Sequence, residues 1–169
     1  MKQWMIVVLA LVGCASKQSG GLATVPSDAA NTCPSVQEHE ALGLPDTETY
    51  AMLIGWAELP EIEDPIELFT DFLPKAIGRY EVQLNDEPVS KWAAACVYTH
   101  YLSLMPLVAT PPAELPADLV DVFNAVVAEN IQPLADELKA KALYRAELAI
   151  ESDADWTPRA VQLAETLRL

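Results

Sequence analysis

Cys96 and His100 have the residue types and the spacing that nucleophilic chemistry requires. They are four residues apart in an apolar stretch, so a helix places both side chains on one face. A thiol beside an imidazole can act as a nucleophile with its general base. No Asn or Asp lies nearby in the sequence to orient the ring. The sequence therefore favours a hydrogen-bonded core histidine, with a Cys96–His100 hydrolase as the alternative.

Two acidic stretches have the side chains of metal sites but not the spacing. Glu38-His39-Glu40 contains the start of an HExxH zinc motif, but Gly43 stands where the second histidine belongs. Consecutive helical residues point in different directions, so this stretch predicts a solvated helix face. Glu61-Ile62-Glu63-Asp64 lacks the EF-hand spacing, and acids are favourable wherever a helix begins. We predict no metal, no cofactor and no catalytic residue, and we do not expect an enzyme.

The first residues have the pattern of an export signal that ends in a cysteine. Lys2 precedes an apolar run from Trp4 to Val12, which is shorter than the about 20 residues of a membrane-spanning helix. The run ends in Leu11-Val12-Gly13-Cys14, which resembles the lipobox of bacterial lipoproteins. This resemblance implies cleavage before Cys14, a diacylglycerol on its sulfur and usually a further acyl chain, such as palmitate, on its amino group. Two or three such chains anchor a protein stably in a membrane.

The same resemblance implies a location in the cell envelope. In well-studied Gram-negative bacteria, Asp after the lipidated cysteine retains the protein at the inner membrane, whereas Ala15 is typical of outer-membrane sorting. The formal net charge of −15 opposes contact with nucleic acid and with anionic lipid headgroups. We therefore expect membrane contact through the lipid on Cys14, with the protein facing the periplasm.

The resemblance also leaves two of the three cysteines to be explained. With Cys14 lipidated, Cys33 and Cys96 remain, and the oxidising periplasm lets such a pair close and persist. Closing a loop of about 60 residues stabilises a fold by at most about 4 kcal/mol. We predict a Cys33–Cys96 disulfide, with two unpaired thiols as the alternative. The disulfide would leave the Cys96–His100 pair without its nucleophile, and its absence would revive the hydrolase hypothesis.

The chain divides into three segments. Residues 1–13 are the predicted signal peptide, and residues 14–34 are the lipidated cysteine and a flexible tether of small, polar, aperiodic residues. Residues 35–169 carry apolar side chains at three- and four-residue steps, separated by prolines and capping residues, with no alternating β-branched run. This pattern predicts a single compact all-α domain of about five to seven helices.

The C-terminal stretch LYRAELAIESDADWTPRAVQLAETL resembles a tetratricopeptide-like helical hairpin. No second copy follows at a fixed period, so the resemblance implies one hairpin and not a repeat array. It further implies that the aromatic and small residues of the motif lie where two helices cross closely: Tyr144, Ala149, Asp155, Trp156, Ala160 and Leu163.

These features predict a lipid-anchored, periplasm-facing helical module for protein interaction or assembly. Its expected partner is another envelope protein or a peptide, and Trp56, Tyr98 and Tyr101 are candidate contact aromatics. Two alternatives remain open. One is an anchored hydrolase that uses Cys96 and His100 or a pair of carboxylates, and the other is a stabilising subunit of a larger envelope complex.

Overall fold

The computed structural model describes residues 27–55 and 71–169. These residues form a single compact arrangement of helices without strands, which confirms the prediction of an all-α domain of five to seven helices. The elements are a 3₁₀ helix (Ser27–Thr32), α1 (Val36–Ala41), α2 (Thr47–Gly55), α3 (Leu73–Gln83), α4 (Pro88–Ala109), α5 (Ala117–Val126), a π-helical turn (Val127–Ile131), α6 (Gln132–Ala149) and α7 (Thr157–Arg168).

Helix α4 forms the centre of the fold. Every side chain from Trp92 to Thr99 is buried, because the sequence of α4 is apolar around most of its circumference. The 3₁₀ helix and α2, α3 and α6 pack against it. Within the described ranges, α4 alone has the length and apolar composition of a membrane span, but 67% of its most apolar window is buried inside the fold. This is typical of a core helix.

Short-range signals set the boundaries of the first helices. The Ser35 hydroxyl accepts a hydrogen bond from the amide of Glu38 at 3.2 Å and caps α1. Gly43 follows α1 with a φ of 68°, a backbone conformation that suits a residue without Cβ. The Asp46 carboxylate accepts a hydrogen bond from the amide of Thr49 at 3.2 Å where α2 begins. All three residues are recognisable as helix boundary signals in the sequence.

Prolines begin several helices and interrupt one. Pro74, Pro88, Pro133 and Pro158 each occupy the first or second position of a helix, where the missing amide hydrogen costs little. Pro106 predicts that α4 ends near Met105, and this is wrong because α4 continues to Ala109. Burial of the adjacent side chains of α4 outweighs the local cost of about 3 kcal/mol for an interior proline.

The ordered domain includes residues before Ser35. Ala29, Thr32 and Cys33 are buried, and the 3₁₀ helix packs against α4 and α7. The predicted tether extends to residue 34, so the packed segment begins earlier than expected. Small polar residues carry no periodic signal in the sequence even where they are packed. The disulfide and hydrogen bonds to distant residues hold this segment in place.

Candidate functional site

Cys33 and Cys96 are joined by a disulfide bond, with their Cα atoms 5.5 Å apart. Both residues are buried, Cys33 at the end of the 3₁₀ segment and Cys96 in the middle of α4. The bond agrees with the pairing expected from the cysteine count. Because the Cys96 sulfur is bonded to Cys33, the Cys96–His100 pair has no thiolate in this structure.

The Arg159 side chain links three parts of the fold beside this disulfide. Its Nη1 donates to Glu38 Oε1 at 2.5 Å, its Nε donates to the carbonyl of Thr32 at 3.3 Å, and its Nη2 donates to the carbonyl of Cys33. The guanidinium therefore holds α7, α1 and the 3₁₀ segment together. No local pattern in the sequence indicates this role of Arg159, because its partners are 121 to 127 residues away along the chain.

Two tryptophans complete the contact between α4 and the start of α7. The rings of Trp92 and Trp156 are stacked, with their centroids 5.1 Å apart and an interplanar angle of 8°. The Arg159 guanidinium lies 4.8 Å from the Trp92 centroid, within cation–π range. Trp92 is fully buried, and its Nε1 has no hydrogen-bond partner among the described residues. Trp92 therefore packs the start of α7 against the core.

His39 is buried, so the prediction that Glu38-His39-Glu40 forms a solvated helix face is wrong for its central residue. The Nε2 of His39 is 2.7 Å from Tyr80 Oη, and its Nδ1 is 3.1 Å from Thr47 Oγ1. The imidazole stacks on the Tyr50 ring, with centroids 4.1 Å apart. Burial lowers the pKa of His39 to about 4, and the carboxylate of Asp46 opposes that shift. The imidazole is therefore a neutral core group at pH 7.

His100 lies on α4 but is only partly buried. Desolvation lowers its pKa to about 4. Within the described ranges no hydrogen bond reaches its ring, which differs from the hydrogen-bonded core histidine that the apolar stripe predicts. The reason is that the ring lies near the edge of the core, where periodicity alone does not distinguish full from partial burial.

The candidate contact aromatics on α4 belong to the core. Tyr98 and Tyr101 are only 5% and 3% exposed, so neither contributes a surface patch. The hydroxyl of Tyr98 donates to Glu81 Oε2 at 2.7 Å, and Arg145 Nη2 donates to Glu81 Oε1 at 3.2 Å. The Glu81 carboxylate thereby joins α3, α4 and α6. Trp56 lies outside the described residues.

A shallow cleft of about 170 Å³ opens beside Glu81 and Arg145. Asp86 and Lys91 line it as well, and the Lys91 ammonium is 2.5 Å from the Asp86 carboxylate. The cleft is smaller than the about 300–1,000 Å³ of typical ligand pockets. The sequence marks Asn85-Asp86 only as a turn, because the lining side chains come from three helices and the turn between two of them.

Helix α5 carries an apolar stripe outside the main core. Leu119, Val122, Phe123 and Val126 recur at three- and four-residue steps, and we call these four residues the α5 face. Each is partly buried, and no side chain of α5 is fully buried. Helix α5 continues directly into the π-helical turn, and no other described element makes extensive contact with it. Within the described ranges, the α5 face therefore lacks a helix packed against it.

Several predicted sites lie outside the described residues. These are the signal peptide 1–13, the lipidation site Cys14 and the acidic stretch Glu61–Asp64. Across 27–55 and 71–169, no group of three or more His, Cys, Asp or Glu side chains is placed to hold a metal ion.

No protein-family model, curated protein or solved structure matches the chain.

Proposed function

We propose that this chain is a lipid-anchored interaction module on the periplasmic side of the outer membrane, and that it contacts an envelope protein or peptide through the α5 face. The observation that carries this proposal is the position of α5. It is an apolar helix, and among the described residues its side chains belong neither to the buried core nor to the partly buried residues packed against that core. Amphipathic helices of this kind commonly bind apolar segments of a partner.

The charges around the α5 face define the chemistry of the partner. Residues 117–131 contain Asp118, Asp121 and Glu129 but no Lys or Arg. Asp118 is exposed at the edge of the apolar stripe, and Asp121 is exposed on the side of α5 away from it. Charge complementarity across an interface favours association and orients the partner. The expected partner segment is therefore apolar with flanking Lys or Arg residues.

Two features support attachment to the envelope. The lipobox-like Leu11-Val12-Gly13-Cys14 supports lipidation, and the Cys33–Cys96 disulfide is typical of an oxidising compartment. Residues 15–26 separate Cys14 from the first described residue. A chain of that length spans at most about 40 Å, so lipid on Cys14 would keep the domain close to the membrane surface.

The anchor is tested by intact-mass analysis and fractionation of the native protein. We expect a chain that begins at Cys14 and carries acyl chains, and we expect Cys14→Ser to move the protein from the membrane fraction to the soluble fraction. Ser16→Ala is the matched control and should leave fractionation unchanged. An unmodified chain that still begins at Met1 would contradict the anchor.

The contact is tested by photo-crosslinking in intact envelopes. A crosslinking residue at Val122 on the α5 face should give a discrete adduct, and the same residue at the exposed Gln162 of α7 should not. The charge reversal Asp118→Lys at the edge of the α5 face should weaken the adduct, whereas Glu165→Lys on α7 should not affect it. Equal crosslinking from both positions would contradict a dedicated α5 contact and favour the passive-subunit alternative.

A further inference from the structure

The cleft beside Glu81 presents more hydrogen-bond donors than the described residues use. Arg145 makes one contact there, from Nη2 to Glu81 at 3.2 Å, although a guanidinium has five N–H donors. The Oδ1 of Asn85 accepts hydrogen bonds from the Glu87 amide and the Ser90 hydroxyl. This orients Asn85 with its Nδ2 donor still available. Such a surplus of donors is suited to a carboxylate.

In the ion pair of this cleft, the Lys91 side chain is mostly buried and the Asp86 side chain is fully exposed. The Lys91 side chain is only 15% exposed, whereas its partner Asp86 is fully exposed at 101%. The hydrogen bond from Lys91 lowers the pKa of Asp86, and the charge of Arg145 acts in the same direction. Arg145 is paired with Glu81 and Lys91 with Asp86, so an anion that displaces the exposed Asp86 side chain faces two cations and one remaining carboxylate.

We propose that this cleft binds a short-chain carboxylate, either free or at the C-terminal end of a polypeptide, and that the exposed Asp86 carboxylate competes with it for Lys91 in the unliganded protein. Leu84 and Ala94 line the same cleft and provide contacts for a short alkyl group. The volume of about 170 Å³ accommodates a carboxylate with a few carbon atoms. This site requires neither the lipid anchor nor the α5 face, so its failure would leave the proposed function untouched.

The test is an NMR titration of the full-length chain in detergent with propionate, N-acetylalanine and N-acetylalanine amide, followed at the side-chain amide of Asn85. The two acids should bind, and the amide should not. Lys91→Gln should weaken binding of the acids by about tenfold or more, the usual effect of losing a hydrogen bond to a charged group. Asp86→Asn should strengthen it about two- to fivefold, because the competing carboxylate is removed and an exposed ion pair is a weak competitor.

A higher affinity of Asp86→Asn for the two acids would show that they bind in this cleft, and that the effect does not come from the overall charge of the protein. Lys75→Gln is the matched control, since it removes one positive charge from the exposed Lys75–Asp71 pair at the other end of α3 and should leave affinity unchanged. Tighter binding of N-acetylalanine than of propionate identifies a polypeptide end, and equal binding identifies a free acid. The proposal is overturned if neither acid binds the Asp86→Asn chain, if the amide binds as tightly as the acids, or if Asp86→Asn weakens binding.

Discussion

The guanidinium of Arg159 lies 4.8 Å from the ring centroid of Trp92 while it donates to the carbonyls of Thr32 and Cys33. One side chain on α7 thus contacts the N-terminal part of α4 and the segment that precedes α1. The disulfide joins that segment to α4 covalently. The N-terminal end of the domain is therefore attached to the core twice, once by a covalent bond and once by Arg159.

Replacing Arg159 by Met should lower the free energy of unfolding by about 2–4 kcal/mol. The substitution retains an apolar stem over Trp92 but removes three hydrogen bonds of the guanidinium, whose combined contribution is reduced because the side chain is 32% exposed to solvent. Urea unfolding followed by tryptophan fluorescence measures the loss. Arg168→Met removes an ion pair to Glu147 in which both side chains are about half exposed, and it should cost less than about 1 kcal/mol. Equal losses for the two variants would contradict the role of Arg159.

Reduction of the disulfide should destabilise the fold by at most about 4 kcal/mol. The bond closes a loop with a sequence separation of 63, and the constraint on the unfolded chain grows with loop length. The measurement is a pair of urea unfolding curves with and without reductant, together with thiol titration of the native chain. A Cys14→Ser chain serves as the control and should show the same dependence on reductant. Reactive thiol at Cys96 in the oxidised protein would contradict the pairing and revive the Cys96–His100 hydrolase.

The free energy of unfolding should fall as the pH decreases from about 6.5 towards 4. The pKa of His39 is lowered from 6.5 to about 4 in the fold, so the unfolded chain binds more protons in this interval. Stability from the neutral imidazole is therefore complete above pH 6.5 and is lost below it. Urea unfolding at pH 7 and pH 5 should show a loss of up to about 2 kcal/mol from His39.

His39→Gln tests the origin of this pH dependence. The variant should be less stable at pH 7 but should show a smaller decrease between pH 7 and 5, with the remaining decrease due to His100 and the carboxylates. His100→Gln is the comparison variant, because the pKa of His100 is also lowered to about 4 but its ring makes none of the contacts of His39. An unchanged pH dependence in His39→Gln would show that the His39 imidazole is not responsible.

Enlarging a buried alanine of α6 should destabilise the protein. Ala146 is fully buried, as are the other small residues of α6 and α7 in the core: Ala135, Ala142, Ala149, Ala160 and Ala164. Leu at position 146 should cost about 1–3 kcal/mol, because overpacking forces neighbouring helices apart. Thermal unfolding compares it with Ala140→Leu, an exposed position on α6 that should be nearly neutral. A neutral Ala146→Leu would contradict the close packing of α6. The position expected from the hairpin resemblance is wrong for Tyr144, which is 60% exposed, and for Asp155, which is also exposed.

The sequence by itself determined the features that depend on neighbouring residues. Ser35, Gly43 and Asp46 specify helix boundaries through contacts within a few positions. The apolar periodicity specifies the all-α class, since helices repeat their contacts every three or four residues. The Cys33–Cys96 pairing followed from counting cysteines after the lipobox resemblance assigned Cys14.

The tertiary structure alone decided which polar residues are buried and which charged side chains form ion pairs. His39 lies in a helix of six residues, too short for its periodicity to identify the buried face, and its partner Tyr80 is 41 residues away. Arg159 and the cleft around Lys91 also depend on side chains from separate helices. Local sequence patterns cannot encode these contacts, because the free energy that orders them comes from packing between distant segments and not from the conformational preferences of any one segment.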